Sequence, residues 1–208
     1  MDQLGKQETL LTAKALCCIR DDRILFDDLN FDVRAEQVLL LEGKNGSGKT
    51  SLLRILCGFR EPDAGEVFWC GQTLNNQYYA QMMYVGHQDG VKHELTVKEN
   101  LLMTLALGIP GKCSIEQALE KVHLQGYDDV LVQSLSAGQK RRLSLARLLI
   151  TDNKLWILDE PFTSLDKYGI DIVETLMAEH VNQGGLIVMT SHHDVNLSEI
   201  NTLQINLS

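Results

Sequence analysis

The sequence predicts an α/β protein with a mainly parallel sheet, and three features predict it. Val38-Leu39-Leu40-Leu41-Glu42 reads as a buried strand that runs through a glycine-rich turn into a helical stretch, Ser51-Leu52-Leu53-Arg54-Ile55-Leu56. Near the other end, two apolar runs, 155–158 and 186–190, flank a helical pattern over 167–183. Strands that alternate with helices build a parallel sheet covered on both faces. Between these parts, residues 92–150 are helical in pattern, which predicts a helical lobe set into the core.

The elements follow in order. Residues 9–18, 30–33 and 38–41 read as short strands, and 65–70 and 82–86 add two more. The picture is an α/β core, an antiparallel strand layer and an inserted helical lobe. Within the lobe, Thr96 stands three residues before Glu99, and Ser114 three before Gln117. That spacing is the capping-box start of a helix. There are no repeats, low-complexity segments or long linkers, and only three prolines. The 208 residues are therefore expected to form one domain, 1–208, with about 92–150 as the inserted subdomain.

Composition sets limits. The formal charge of −9 argues against a protein that coats nucleic acid. The basic cluster, Lys140 to Arg147, falls on one predicted helix. Cys17, Cys18, Cys57, Cys70 and Cys113 show neither metal spacing nor a paired framework, as expected of reduced thiols used as small apolar residues. Without a Cys-x-x-Cys-His motif, no covalently held haem is expected. Residues 1–8 contain no apolar signal core, and no stretch approaches the length of a membrane span. A machine moving something across a membrane would need another chain for the path.

The glycine-rich turn carries the chemistry. Residues Gly43-Lys44-Asn45-Gly46-Ser47-Gly48-Lys49-Thr50 complete the pattern G-x-x-x-x-G-K-[ST] between strand and helix. Glycines at 43, 46 and 48 let the backbone approach a phosphate, and the N–H groups of the loop and of the helix start, Ser51 included, converge on its oxygens. Lys49 suits the β- and γ-phosphates, and the Thr50 hydroxyl suits Mg²⁺.

Further motifs come in a fixed order: Gln88, then Leu135-Ser136-Ala137-Gly138-Gln139, Asp159-Glu160, Ser164-Leu165-Asp166 and His192. In this order the chain resembles the ATP-binding-cassette (ABC) ATPases over nearly its whole length. The resemblance implies a P-loop NTPase core of ABC type that uses ATP and Mg²⁺. It implies Thr50, Gln88 and Asp159 as metal ligands, Lys49 on the phosphates, Glu160 as catalytic base, and His192 on the γ-phosphate. His193 competes with His192 by a one-residue slip, and the family pattern favours His192. His87, beside Gln88, reads as a packed or solvated histidine. Ser136, Gly138 and Gln139 begin a helix whose N–H groups suit an anion. By resemblance that anion is the ATP of a second copy packed head to tail, with Asp166 crossing the interface. Ala137 replaces the commoner glycine and keeps the backbone N–H. The family commonly stacks adenine on an aromatic residue, whereas the matching position here holds Arg20, which could stack its guanidinium on the base or simply lie on the surface.

Finer features narrow the resemblance. Gly86-His87-Gln88, Leu95-Thr96 with Glu99-Asn100-Leu101, the Leu-Ser-Ala-Gly-Gln run, residues 155–163 and Gln183-Gly184-Gly185 occur together in a short chain. Together they look like the haem exporter ATPase family of the bacterial cytochrome c maturation system, the CcmA type. That implies two ATPase copies under integral membrane subunits, peripheral on the cytoplasmic face of the inner membrane. One membrane-subunit helix would dock near Gln88. Haem would be met only indirectly, through partners, and nucleic acid not at all. An ABC exporter ATPase for a lipid, drug or peptide is the alternative, and a soluble non-transport ABC ATPase a remoter one.

Overall fold

The structure, a computed structural model, describes residues 9–192 and 200–207; residues 1–8 and His193 lie outside the described residues. It is an α/β fold with two sheets. The chain opens on an antiparallel hairpin of β1 (Thr9–Arg20) and β2 (Arg23–Arg34). Sequence pattern alone shows these as shorter strands. The reason is that the β1–β2 register shifts repeatedly, and Ala15 and Asp28 take left-handed conformations, so the apolar alternation breaks. β3 (Gln37–Glu42) follows, then α1 (Lys49–Leu56), β4 (Ala64–Trp69), β5 (Gln72–Thr73), α2 (Asn76–Ala80) and β6 (Met82–Val85). The helical stretch holds α3 (Val97–Leu107), α4 (Ile115–Lys121), a 3-10 turn (Val132–Ser134) and α5 (Ala137–Leu149). β7 (Leu155–Asp159), α6 (Lys167–Asn182), β8 (Leu186–Thr190) and β9 (Asn201–Asn206) complete the order.

The antiparallel sheet has the order β2-β1-β4-β5, and the other sheet, all parallel, β6-β7-β8-β3-β9. Alternation along β7 divides two cores. Leu155 and Ile157 pack with Leu52, Leu53 and Leu56 of α1 and with Leu11 and Leu16 of β1. Trp156 and Leu158 face the other way, onto Leu145 and Leu148 of α5 and Val173 and Met177 of α6. A third core joins Val97, Leu101, Leu119 and Val122 to Leu143 and Ala146 of α5 and Ile172 of α6. Each buried Leu or Ile contributes roughly 1.5–3 kcal/mol to such a core. α5 and α6 therefore each serve two cores. Capping boxes are complete at Thr96–Glu99, Ser114–Gln117 and Ser136–Gln139, which fixes where α3, α4 and α5 begin. Among the described residues no helix is long and apolar enough to cross a membrane.

Register sets up the site. β3, β8 and β7 are adjacent and parallel, with Leu41 opposite Thr190 and Thr190 opposite Asp159. One row across three strands thus ends at the same edge. The chain leaving that edge supplies Gly43, Ser191 and Glu160 within two residues. Crevices outside the carboxyl ends of parallel strands are where open α/β sheets bind ligands.

Candidate active site

At that edge lies a cavity of about 860 Å³ lined by Arg20, Asn45, Gly46, Gly48, Lys49, Thr50, Ser51, Asp159, Glu160 and His192, with Asp21, Arg23, Leu25, Arg54 and His87 also contributing. Four cations, Arg20, Arg23, Lys49 and Arg54, face it in a chain whose formal charge is −9. That concentration suits a polyanion.

The phosphate loop is shaped by close contacts. Gly43 has φ 140°, and a Cβ there would sit 2.3 Å from the Leu207 carbonyl oxygen, so the loop is pinned against the chain after β9. Gly48 caps α1 with φ 108°, and a Cβ would meet Leu25 at 3.1 Å. Lys49 is buried, and its Nζ donates to the carbonyls of Gly43 at 2.6 Å and Lys44 at 3.3 Å. The loop thereby holds its own lysine across its mouth.

Asp159 is oriented by both oxygens. Thr50 Oγ1 donates to Asp159 Oδ2 at 3.1 Å, and Thr190 Oγ1 donates to Asp159 Oδ1 at 2.8 Å. The Thr190 hydroxyl also accepts the Glu160 N–H at 3.0 Å. Glu160 takes a left-handed backbone, φ 52°, a conformation that costs about 1–3 kcal/mol and clusters at functional sites. Its carboxylate meets His192 twice: the His192 N–H donates to Oε2 at 3.2 Å, and His192 Nε2 lies 3.4 Å from Oε1.

Arg141 fixes the same turn from behind. Its guanidinium donates to the carbonyls of Pro161 at 3.0 Å, Gly86 at 2.7 Å, Asp159 at 3.1 Å and Glu160 at 2.7 Å. Burial pushes its pKa down, and the nearby Asp159 carboxylate opposes that. Sequence reasoning placed Arg141 in a basic cluster and gave no role to Thr190. The signal for Arg141 was periodicity: it lies four residues before Leu145, on the helix face that packs inward. For Thr190 it was a hydroxyl ending an otherwise apolar strand.

Other expected residues lie elsewhere. Gln88 lines an adjoining cavity of about 480 Å³ with Asp89, His93, Ala137, Arg141, Thr163 and Ser164, and His87 borders both cavities. Ser136 caps α5, accepting the Gln139 N–H at 3.2 Å while Gln139 Oε1 accepts the Ser136 N–H at 2.8 Å. Asp166 caps α6, accepting the Gly169 N–H at 2.8 Å. Ser136, Gly138, Gln139 and Asp166 do not line the Lys49 cavity, and Ser136 is exposed.

Comparisons with known proteins agree with this geometry. The family model described as ABC transporter matches residues 26–163. A protein of Shewanella sp. (strain MR-4) named cytochrome c biogenesis ATP-binding export protein CcmA is 44% identical over 200 residues, covering 95% of this chain and 93% of that protein. The protein of the same name from Escherichia coli (strain K12) is 44% identical over 202 residues, covering 96% and 97%. Among solved structures, an ATP-binding subunit of an ABC transporter superposes with a TM-score of 0.85 at 24% identity, covering 96% of this chain and 86% of that one. An ABC transporter cassette in its ADP conformation gives 0.79 at 22%, covering 95% and 87%. These likenesses place the fold among ABC ATPase domains. The chain belongs to the ABC transporter ATP-binding family, among the cytochrome c biogenesis ATP-binding export proteins of CcmA type.

Proposed function

We propose that this chain is the ATP-hydrolysing subunit of a membrane complex in c-type cytochrome biogenesis, coupling ATP hydrolysis to haem export or to release of a haem-loaded chaperone. The observation that carries it is the convergence of Lys49, Thr50, Asp159, Glu160 and His192 on one cavity, in a chain related to CcmA proteins over nearly its full length. Lys49 and the loop N–H groups of residues 43–51 bind the phosphates. The Glu160 carboxylate takes a proton from the attacking water, and His192 holds that carboxylate in place. The Thr50 hydroxyl and Asp159 carboxylate are hard oxygen donors already in contact, a set that fits Mg²⁺; with Gln88 they would hold the ion. When bound, Mg²⁺ neutralises charge on the phosphate oxygens. Arg20 takes the base.

The second anion site, at the exposed start of α5 with Ser136, Gly138 and Gln139, serves the ATP of a second copy, and Asp166 reaches across that interface. The membrane subunits dock from the cytoplasmic side. A mainly apolar groove of about 350 Å³, lined by Tyr79, Met82, Met83, Met103, Leu107 and Ile109 with Thr104, Arg147 and Asn153, offers a second place for the docked helix beside the cavity at Gln88.

Glu160→Gln tests the assignment. The purified variant should bind ATP normally and lose roughly 10²-fold or more of its turnover, the scale of general-base removal. Cells carrying it should assemble the complex and load haem on the chaperone, yet fail to mature c-type cytochromes. Haem staining of cytochromes and chaperone together reads this out. Normal cytochrome levels would move the cargo elsewhere, and normal hydrolysis would remove Glu160 from its role.

A further inference from the structure

The three arginines of α5 do different work. Arg142 Nη1 donates to the carbonyls of Val122 and His123, each at 3.1 Å, and so ties α5 to the end of α4. Arg141 and Arg147 reach the other way. Arg141 holds the Gly86 carbonyl at 2.7 Å, and Arg147 Nη1 holds the Gly90 carbonyl at 3.2 Å while its Nε donates to Thr104 Oγ1 at 3.2 Å. Gly86 and Gly90 are the two ends of the segment that carries Gln88. Arg141 holds the carbonyls of Asp159, Glu160 and Pro161 as well. A single rigid helix therefore grips both ends of one functional segment and the backbone of another. Arginine suits this, since its planar fork of donors satisfies several acceptors at fixed angles where an ammonium acts as a point charge. Gly90, at φ 65°, leaves room for the contact: a Cβ there would lie 3.2 Å from Arg147 Nη1.

We propose that Arg141 and Arg147 are positioning residues that make α5 the carrier of both the Gln88 segment and the Glu160 turn, so that any displacement of α5 moves the two together. The inference rests on the hydrolytic reading of Glu160 and Gln88. Its consequence is mechanical. The same helix begins at Ser136, so engagement of an anion at that end is felt at the Glu160 of its own chain, and the two nucleotide sites of a pair are coupled through side chains rather than through a shared ligand.

The test uses the full chain with its membrane subunits and three variants: Arg141→Lys, Arg147→Met and Arg142→Met. Arg141→Lys keeps the charge but cannot hold four carbonyls. Arg147→Met releases Gly90 and the Thr104 hydroxyl while keeping the stem. Arg142→Met removes the two bonds to α4 and reports the effect of weakening α5 without touching either segment. Arg141→Lys and Arg147→Met should each lower kcat by about tenfold or more, the scale of a small misplacement at a reacting centre. ATP affinity should stay within about threefold, and the Hill coefficient of ATP hydrolysis should drop toward one. The double variant should lose less than the product of the single losses, because both act through one segment. Arg142→Met should lower the melting temperature and keep kcat and cooperativity. If Arg141→Lys does not fold, Arg147→Met carries the test alone. Equal losses of kcat in Arg142→Met and Arg147→Met, unchanged cooperativity in the folded positioning variants, or multiplicative losses in the double variant would overturn the proposal. An unmodified complex that hydrolyses no ATP would instead overturn the hydrolytic reading beneath it.

Discussion

Thr190 shows how much one buried hydroxyl decides at this site. It is fully buried, donates to Asp159 Oδ1 and accepts from the Glu160 N–H, so one atom aligns two neighbouring acidic residues. Thr190→Val keeps the shape and removes both bonds. The Glu160 N–H then loses this partner, a defect on the scale of about 1–3 kcal/mol. The melting temperature should fall accordingly, and kcat should drop roughly 10- to 100-fold as the Glu160 turn relaxes, with ATP binding retained because Lys49 and its loop are untouched. Kinetics and calorimetry on the purified variant check both parts. A kcat equal to that of the unmodified protein would mean that Arg141 alone holds the turn.

At the scale of elements, the β1–β2 hairpin and the α6–β7 contact each make a prediction. Arg20 and Arg23 stand opposite one another across the hairpin, and both line the nucleotide cavity. Like charges in that arrangement repel. The turn between them, Asp21-Asp22, takes two left-handed residues at φ 51° and 59°, the geometry of a tight hairpin turn. Just before it, the Ile19 N–H donates to Asp63 Oδ2 at 2.7 Å and the Ile19 carbonyl accepts from Arg60 at 2.5 Å. These bonds anchor the strand just before the tip, and the largely exposed Arg20 side chain lies 3.5 Å from the Asp21 carboxylate. Arg20→Ala should weaken ATP binding by about tenfold, the value of a lost guanidinium–base stack, and Arg20→Trp should restore it. Unchanged affinity in Arg20→Ala, by fluorescence titration, would return the arginine to the surface.

In α6, His180 stacks on Trp156 of β7 with ring centroids 3.8 Å apart. Gly185 has no Cβ because one would lie 2.3 Å from the ring, which gives Gln183-Gly184-Gly185 a packing reason. Burial pushes the His180 pKa from 6.5 down to about 4. Between those values the unfolded chain binds a proton that the folded chain refuses. Stability from this group is therefore complete above pH 6.5 and falls as pH drops toward 4, by roughly 2 kcal/mol at pH 5. His180→Phe keeps a ring and removes the titration. Its melting temperature should vary less between pH 6.5 and 4 than that of the unmodified protein, and parallel profiles would refute the assignment.

Across the whole molecule, the Lys49 cavity and the start of α5 are separate places whose chemistry suits an anion. One chain does not close them on a single nucleotide. On the proposed head-to-tail pairing a two-fold pair would, and such an interface is isologous. Glu160→Gln with ATP should therefore shift from monomer to dimer in light scattering, and ADP should leave it monomeric. A monomer at saturating ATP, even with the membrane subunits supplied, would count against the pair.

Much of this molecule was legible before folding. Strand, glycine turn and lysine over 38–50 marked the phosphate loop, because only that order sets backbone N–H groups around a phosphate. Acidic residues after an apolar run marked the strand end, and Ser or Thr three residues before Glu or Gln marked the helix starts. These signals are local, so sequence carries them whole. β9, a half-exposed edge strand with no buried position and no strict alternation, and the full length of the β1–β2 hairpin, with its shifting register, left no clean period to read. Arg141 and Thr190 escaped for a different reason. Their partners, Gly86, Asp159, Glu160 and Pro161, are distant in sequence, and most are backbone carbonyls with no side-chain identity. Sequence thus determined which residues carry the motifs for nucleotide chemistry, because that chemistry belongs to residue types at fixed spacing. Only the tertiary structure decided what holds those groups in place, because strand register and helix packing bring together backbone atoms that every sequence shares.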